Sequence, residues 1–183
     1  MHQLLNRAPW LLRKFLLVAM GLICLIGCSR AQQATSRQSA DPDWILKKTK
    51  RLTTKELWKE HDGGDIIYIE RGCVSETMTN YRHRSRPWTI RCSVFDQTKP
   101  DGAQSLFKYY HDGIENEIRE VEPVGDSTYL CKLSEMRSWV VGFCKAKFFV
   151  EISLTEEGDA NAPLTDSARQ ALAEFARRMA ATL

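Results

Sequence analysis

The tripeptide His-Asp-Gly occurs twice in the chain, at residues 61–63 and 111–113. Imidazole nitrogens and carboxylate oxygens are common ligands of catalytic metal ions, which activate water for hydrolysis. If the two segments met in the fold, they could form such a site from His61, Asp62, Asp65 and His111. Each tripeptide also stands where a helix is expected to end, and glycine and histidine both suit a helix C-terminus. We therefore expect two helix caps, with a metal-assisted hydrolytic enzyme as the alternative.

No other segment carries a recognisable catalytic motif. The sequence has no G-x-S-x-G or S-x-x-K nucleophile motif and no glycine-rich phosphate loop. It therefore identifies no catalytic residue, metal or cofactor, and we expect a non-enzymatic protein.

The chain opens with basic residues and an apolar run that ends at a cysteine. Arg7, Arg13 and Lys14 precede this run, which covers residues 15–27, and Cys28 follows Leu25-Ile26-Gly27. The run is typical of a signal peptide and is shorter than the ~20 residues of a membrane-spanning helix. It resembles the signal peptide and lipobox of bacterial lipoproteins. The resemblance implies cleavage before Cys28, a diacylglyceryl anchor on its sulfur with acyl chains such as palmitate, and, from Ser29, export to the outer membrane.

This leader divides the chain into three expected parts. Residues 1–27 are the signal peptide. Residues 28–43 are the lipidated cysteine and a flexible tether, because this polar stretch has no apolar face to bury. Residues 44–183 form one globular domain of ordinary size outside the cytoplasm.

The charge of the mature chain argues against a general nucleic-acid binder. All three charged residues of the leader are basic, so its removal takes the 26 Lys and Arg of the chain to 23, equal to its 23 Asp and Glu. Nucleic-acid binding needs a clustered positive surface. The main basic tract contains Arg82, Arg84 and Arg86, which could contact an anionic surface. The alternative for this tract is an ordinary solvated hairpin turn.

Cysteine usage is consistent with export. Once Cys24 leaves with the leader and Cys28 is lipidated, the remaining four cysteines suggest two disulfides, with three possible connectivities. Two pairs each flank a polar turn, so we expect Cys73–Cys92 and Cys131–Cys144 across adjacent antiparallel strands. A zinc site and a redox pair are the alternatives, although no C-x-x-C spacing occurs.

Apolar periodicity and turn residues predict the order of the elements. A capping box, Thr53-x-x-Glu56, begins a helix that ends near His61. A second helix starts at Pro100 and closes at Gly113, and a third covers about residues 166–181. Strands are expected at residues 65–71, 74–81, 88–95, 114–121, 128–133, 139–143 and 148–154. This order predicts an α+β fold, a single domain with one antiparallel sheet and about three helices packed on it.

Two segments resemble an uncharacterised family of exported bacterial domains. The first runs from Glu56-Leu57-Trp58 through Asp62-Gly63-Gly64-Asp65 to Tyr68, and the second from Val94-Phe95-Asp96 through Pro100 to Phe107. The similarity spans roughly residues 54–180, although Asp65 stands where the family often has alanine. The resemblance implies a fold and no activity.

These observations together predict a lipid-anchored protein of the cell envelope with a binding or adaptor domain. Its partner would be another envelope protein or a small ligand. A carrier that holds a small hydrophobic ligand between sheet and helix is a further alternative.

Overall fold

A six-stranded antiparallel sheet dominates the domain. The computed structural model describes residues 42–118, 121–159 and 162–183. The strands are β1 (Trp44–Thr53), β2 (Cys73–His83), β3 (Trp88–Gln97), β4 (Ser127–Leu133), β5 (Ser138–Lys145) and β6 (Phe148–Glu156). Their order across the sheet is β1-β2-β3-β6-β5-β4, so that β1 and β4 are the edges.

Four helices accompany the sheet in the described part of the chain. They are the one-turn helices α1 (Trp58–His61) and α2 (Ile66–Ile69) and the longer α3 (Pro100–Asp112) and α4 (Asp166–Ala180). The predicted α+β fold with one antiparallel sheet is confirmed, with sheet as its larger part. The signal peptide, Cys28 and nearly all of the predicted tether lie outside the described residues.

Each face of the sheet has its own core. On one face, which we call the α4 face, Leu172, Phe175 and Met179 of α4 pack over strand residues such as Ile90 and Ile152. On the opposite α3 face, α3 and the short helices cover Phe95, Phe149 and their neighbours. Strand side chains alternate between faces, so direct cross-strand partners share one face.

Several predicted elements are confirmed. The hairpin of β2 and β3, the Pro100 helix, the last helix and the strands near 128, 139 and 148 all form. The Thr53-x-x-Glu56 capping box is also present, and Glu56 Oε2 accepts a hydrogen bond from the Thr53 backbone N–H at 3.1 Å. The helix it begins is short, because a 3₁₀ turn (Thr54–Glu56) and α1 replace one continuous helix.

Two predicted strands are wrong. Residues 65–71 contain the helix α2. A short continuous apolar run is compatible with both a buried strand and a buried helical turn, so the sequence pattern does not distinguish the two. In the predicted strand at 114–121, the described residues form only one isolated bridge, between Glu117 and Cys131.

The strand β1 was not predicted. Its sequence WILKKTKRLT lacks a clear apolar alternation. Its lysines are typical of an edge strand, where charged side chains prevent pairing with another chain. No helix among the described residues is long and apolar enough to cross a membrane.

Candidate functional site

The first His-Asp-Gly segment places a histidine beside a buried carboxyl group. His61 Nε2 lies 2.7 Å from Oε2 of Glu76, whose side chain has no exposed surface. The histidine ring packs against Tyr68, with 4.4 Å between centroids, and Tyr68 stacks on Phe95. The other oxygen, Glu76 Oε1, is buried with no hydrogen-bond partner. His61 therefore connects α1 to the α3 face of β2.

The second segment ends α3 at the surface. His111 Nε2 lies 3.1 Å from Oε1 of Glu117, and both side chains are about one-third exposed, at 39% and 32%. The histidine ring stacks on Phe107 in the preceding turn of the helix. This pair is separate from the one made by His61.

The proposed metal ligands do not form a site. Each histidine is paired with a glutamate outside the predicted set, and the described residues contain no group of three or more His, Cys, Asp or Glu that could hold a metal ion. Asp62 and Gly63 instead adopt left-handed backbone angles, with φ of 46° and 80°, that end α1. The expected cap is confirmed here, and the converging ligand set is wrong.

Sequence reasoning missed a second carboxyl group on the α3 face. Glu151 of β6 accepts a hydrogen bond from the Tyr129 hydroxyl at 3.1 Å. Burial raises the pKa of Glu151, which the Tyr129 hydrogen bond and the charge of Arg91 partly offset. Burial and the nearby Glu151 charge also raise the pKa of Tyr129. The alternation of residues 148–154 predicts the strand. It does not predict that Glu151 is buried, because the same pattern is compatible with a glutamate that faces solvent.

A glycine makes this contact possible. Gly142 of β5 is the cross-strand partner of both Tyr129 and Glu151. A Cβ atom at this position would lie 2.2 Å from Cζ of Tyr129, so the tyrosine ring crosses the strand where there is no side chain. The two acidic groups of this face, Glu76 and Glu151, lie on strands separated by β3, about 10 Å apart across the sheet, and each has its own hydrogen-bond partner.

Neither predicted disulfide forms in the structure. All four cysteines in the described part of the chain, Cys73, Cys92, Cys131 and Cys144, are free and buried. Each predicted pair does occupy adjacent antiparallel strands. The strand register nevertheless separates the thiols.

The register fixes how far apart the members of each pair lie. Cys73 lies opposite Gln97, five residues from Cys92 along β3, or about 17 Å. Cys131 lies opposite Val140, four residues from Cys144 along β5, or about 13 Å. A disulfide requires Cα atoms within ~7 Å, so the predicted pairings are corrected.

The basic tract forms the turn between β2 and β3. Arg82, Arg84 and Arg86 are all exposed, as expected of a hairpin turn. They line a shallow recess of about 440 Å³ together with Ile45 and Lys47 of β1. The guanidinium of Arg86 lies 4.7 Å from the centre of the Trp88 ring. The structure thus brings the three predicted arginines together.

A second cavity lies between α4 and the edge of the sheet. It has a volume of about 320 Å³. Its apolar lining comes from Val121, Val124, Leu130, Val141 and Ala173, and its polar lining from Glu122, Arg169, Gln170 and Arg177. Arg177 Nη1 lies 2.5 Å from Glu122 Oε2, so an ion pair stands at the mouth.

Comparison with protein-family models, with curated proteins and with solved structures finds no match for this chain. The resemblances to bacterial lipoproteins and to an uncharacterised family of exported domains therefore stay predictions.

Proposed function

We propose that this protein is a lipid-anchored binding or adaptor domain of the bacterial cell envelope. The observation that carries the proposal is the sequence Leu25-Ile26-Gly27-Cys28 at the end of the apolar run. Acyl chains on Cys28 hold the domain at the outer membrane, since two or more chains anchor far more strongly than one. The start of β1 at Trp44 supports this arrangement, because it leaves residues 29–43 between the anchor and the domain.

The anchor is tested by replacing Cys28 and, as a matched control, the other leader cysteine. The full chain is expressed as wild type, Cys28→Ser and Cys24→Ser, and the mature N-terminal peptide is identified by mass spectrometry after membrane fractionation. We expect a lipidated N-terminal Cys28 in the wild type and in Cys24→Ser, and its loss in Cys28→Ser. Unchanged processing, mass and membrane association in Cys28→Ser would overturn the proposal.

The adaptor role is tested by crosslinking in cells. The lipidated protein is compared with a Cys28→Ser form that is exported by a replacement signal. We expect the anchored form to crosslink repeatedly to the same envelope protein. If it crosslinks only to lipid and to abundant membrane proteins, the adaptor role is wrong.

The cavity beside α4 favours a second candidate function, a carrier of a small hydrophobic ligand. Pockets that hold such ligands are mostly apolar, with a few polar groups at fixed positions and volumes of about 300–1,000 Å³. The cavity matches this description, since Val124, Leu130 and Val141 are buried apolar residues of its lining.

Mass spectrometry of gently purified protein tests the carrier function. Ala173→Trp places a large side chain in the cavity, while Glu174→Trp puts the same ring on the exposed side of α4. A carrier would show a bound ligand in the wild type and in Glu174→Trp and none in Ala173→Trp. A wild-type protein that carries no ligand would exclude this candidate.

A further inference from the structure

We propose that the domain docks on anionic lipid headgroups through a basic face at the end of the sheet where the tether arrives. This inference rests on the proposed lipid anchor and identifies the surface that the anchored domain presents to its membrane. The basic face consists of Lys47, Lys48, Arg82, Arg84, Arg86 and Arg91, all of them exposed.

Strand register extends the basic turn into a continuous face. Lys48 of β1 is the cross-strand partner of Asn80 on β2, and Asn80 is the partner of Arg91 on β3. Arg82 lies two residues beyond Asn80 and so points to the same side of the sheet. The sequence separates these residues by up to 43 positions, and the sheet places them side by side.

The turn that carries three of these cations is held in one shape. His83 Nδ1 accepts hydrogen bonds from the backbone N–H groups of Ser85 and Arg86, each at 3.2 Å. The histidine ring lies edge-on between Trp44 and Trp88, with centroid distances of 4.9 and 5.3 Å. A turn that is already ordered loses little conformational entropy when it docks.

The tether reaches the domain at this same end. Arg84 Nε donates to the carbonyl oxygen of Pro42 at 2.5 Å, and the Arg84 backbone N–H donates to that of Asp43 at 2.9 Å. A chain anchored at Cys28 therefore enters the domain beside the basic turn. Anchoring there would bring this end of the sheet closest to the membrane.

Charge complementarity favours anionic lipid as the binding partner of the basic face. Three exposed acidic residues lie near the basic face. Asp43 and Glu157 lie beside the turn through backbone hydrogen bonds with Arg84 and Pro87, and Glu60, which pairs with Lys50, lies near Lys48 and Arg91. The six cations of the face outnumber them. Since each basic residue near an anionic bilayer strengthens binding by about fivefold, the face has enough charge for reversible docking. It has too few cations for permanent attachment, which the anchor supplies.

Vesicle binding without the anchor tests the inference. The mature chain, residues 28–183 with Cys28→Ser, is exported behind a replacement signal, purified and mixed with phosphatidylcholine vesicles with or without phosphatidylglycerol. We expect binding only to the anionic vesicles, weakening as salt is added. Neutralising Arg82, Arg84 and Arg86 to Gln should weaken binding on the order of 100-fold.

Two further sets of charge-neutralising variants serve as controls for this experiment. The matched triple variant Lys55→Gln, Lys99→Gln and Lys108→Gln removes the same charge at exposed positions outside the basic face and should bind as the unmodified chain does. Lys48→Gln with Arg91→Gln tests the sheet part of the face without altering the turn. Equal binding to neutral vesicles, or equal losses in both triple variants, would overturn the inference.

Other outcomes separate this inference from the anchor. Binding to a soluble polyanion such as heparin without binding to anionic vesicles would assign the face to a different partner and overturn lipid docking. Fractionation of Cys28→Ser reports on the anchor alone, so either proposal can fail while the other stands.

Discussion

His61 Nε2 lies 2.7 Å from Oε2 of Glu76, and that carboxyl group has no contact with solvent. The histidine belongs to the one-turn helix α1, and the glutamate belongs to β2 in the interior of the α3 face. Because the second oxygen of Glu76 has no hydrogen-bond partner, the contact with His61 offsets part of the free-energy cost of burying this carboxyl group. The contact therefore contributes to stability by linking a one-turn helix that has no buried residue of its own to the sheet.

Replacing His61 by Ala should destabilise the protein by about 3–5 kcal/mol, because it leaves a buried carboxyl group without its partner. Urea unfolding of the wild type and variant measures this difference. His111→Ala is the matched control, since it removes the histidine of the same tripeptide from its partly exposed pair with Glu117. That change should cost less than about 1 kcal/mol. Equal costs for the two variants would contradict this account.

The two His-Asp-Gly tripeptides show which features the local sequence predicts and which it does not. Local residue types predict that each ends a helix, and each does. They do not predict that β2 supplies a buried carboxylate to His61 while a loop supplies an exposed one to His111. Those partners depend on long-range packing, which is also why the alternative, a metal site among His61, Asp62, Asp65 and His111, does not form.

The pH dependence of stability should contain a contribution from Glu151. Burial raises its pKa in the folded state above the ordinary value of 4.5. The folded protein then binds more protons than the unfolded chain, so this contribution to stability is present at acid pH and is lost as pH rises above about 4.5. Relative to Glu151→Gln, the wild type should lose stability as pH rises from about 4.5 through the higher pKa of the folded state, by ~1.4 kcal/mol for each unit by which the two pKa values differ.

Urea unfolding at several pH values checks the sign of this effect. Glu115→Gln, at an exposed position in the loop after α3, controls for the loss of one carboxylate. A difference between wild type and Glu151→Gln that stays constant with pH, or one that grows in favour of the wild type, would contradict the prediction. Tyr129→Phe removes the hydrogen bond that lowers the Glu151 pKa, so its pH dependence should extend to higher pH.

Pattern-based prediction worked for elements whose boundaries carry their own signals. Pro100 begins α3, and the alternating residues from Trp88 identify β3. It did not work for residues 65–71 or for β1, where an apolar run and a lysine-rich edge strand have no unique period. It also could not supply the registers, because the turn between β2 and β3 is centred closer to Cys92 than to Cys73. A difference of a few residues in the turn position decides whether two cysteines meet.

The four domain cysteines should be recovered as thiols. Burial raises the pKa of Cys131 to about 11 and those of Cys73 and Cys144 to about 12, so the reactive thiolate form is scarce. In the folded protein we expect alkylation at least about a hundredfold slower than for an exposed thiol. After denaturation without reductant, peptide mapping should find all four labelled. Recovery of a Cys73–Cys92 or Cys131–Cys144 peptide would contradict the strand register.

The turn between β2 and β3 should depend on the Nδ1 atom of His83. His83→Ala removes the acceptor shared by Ser85 and Arg86 and the ring between the two tryptophans, which should cost about 1–2 kcal/mol. Hydrogen exchange at the amides of Ser85 and Arg86 should accelerate as well. His83→Asn keeps a side-chain acceptor near the same place and should slow this exchange relative to His83→Ala. If the basic face docks as a rigid surface, His83→Ala should also weaken binding to anionic vesicles, while His83→Asn should retain more of it. Identical exchange in the two variants would show that the acceptor does not hold the turn.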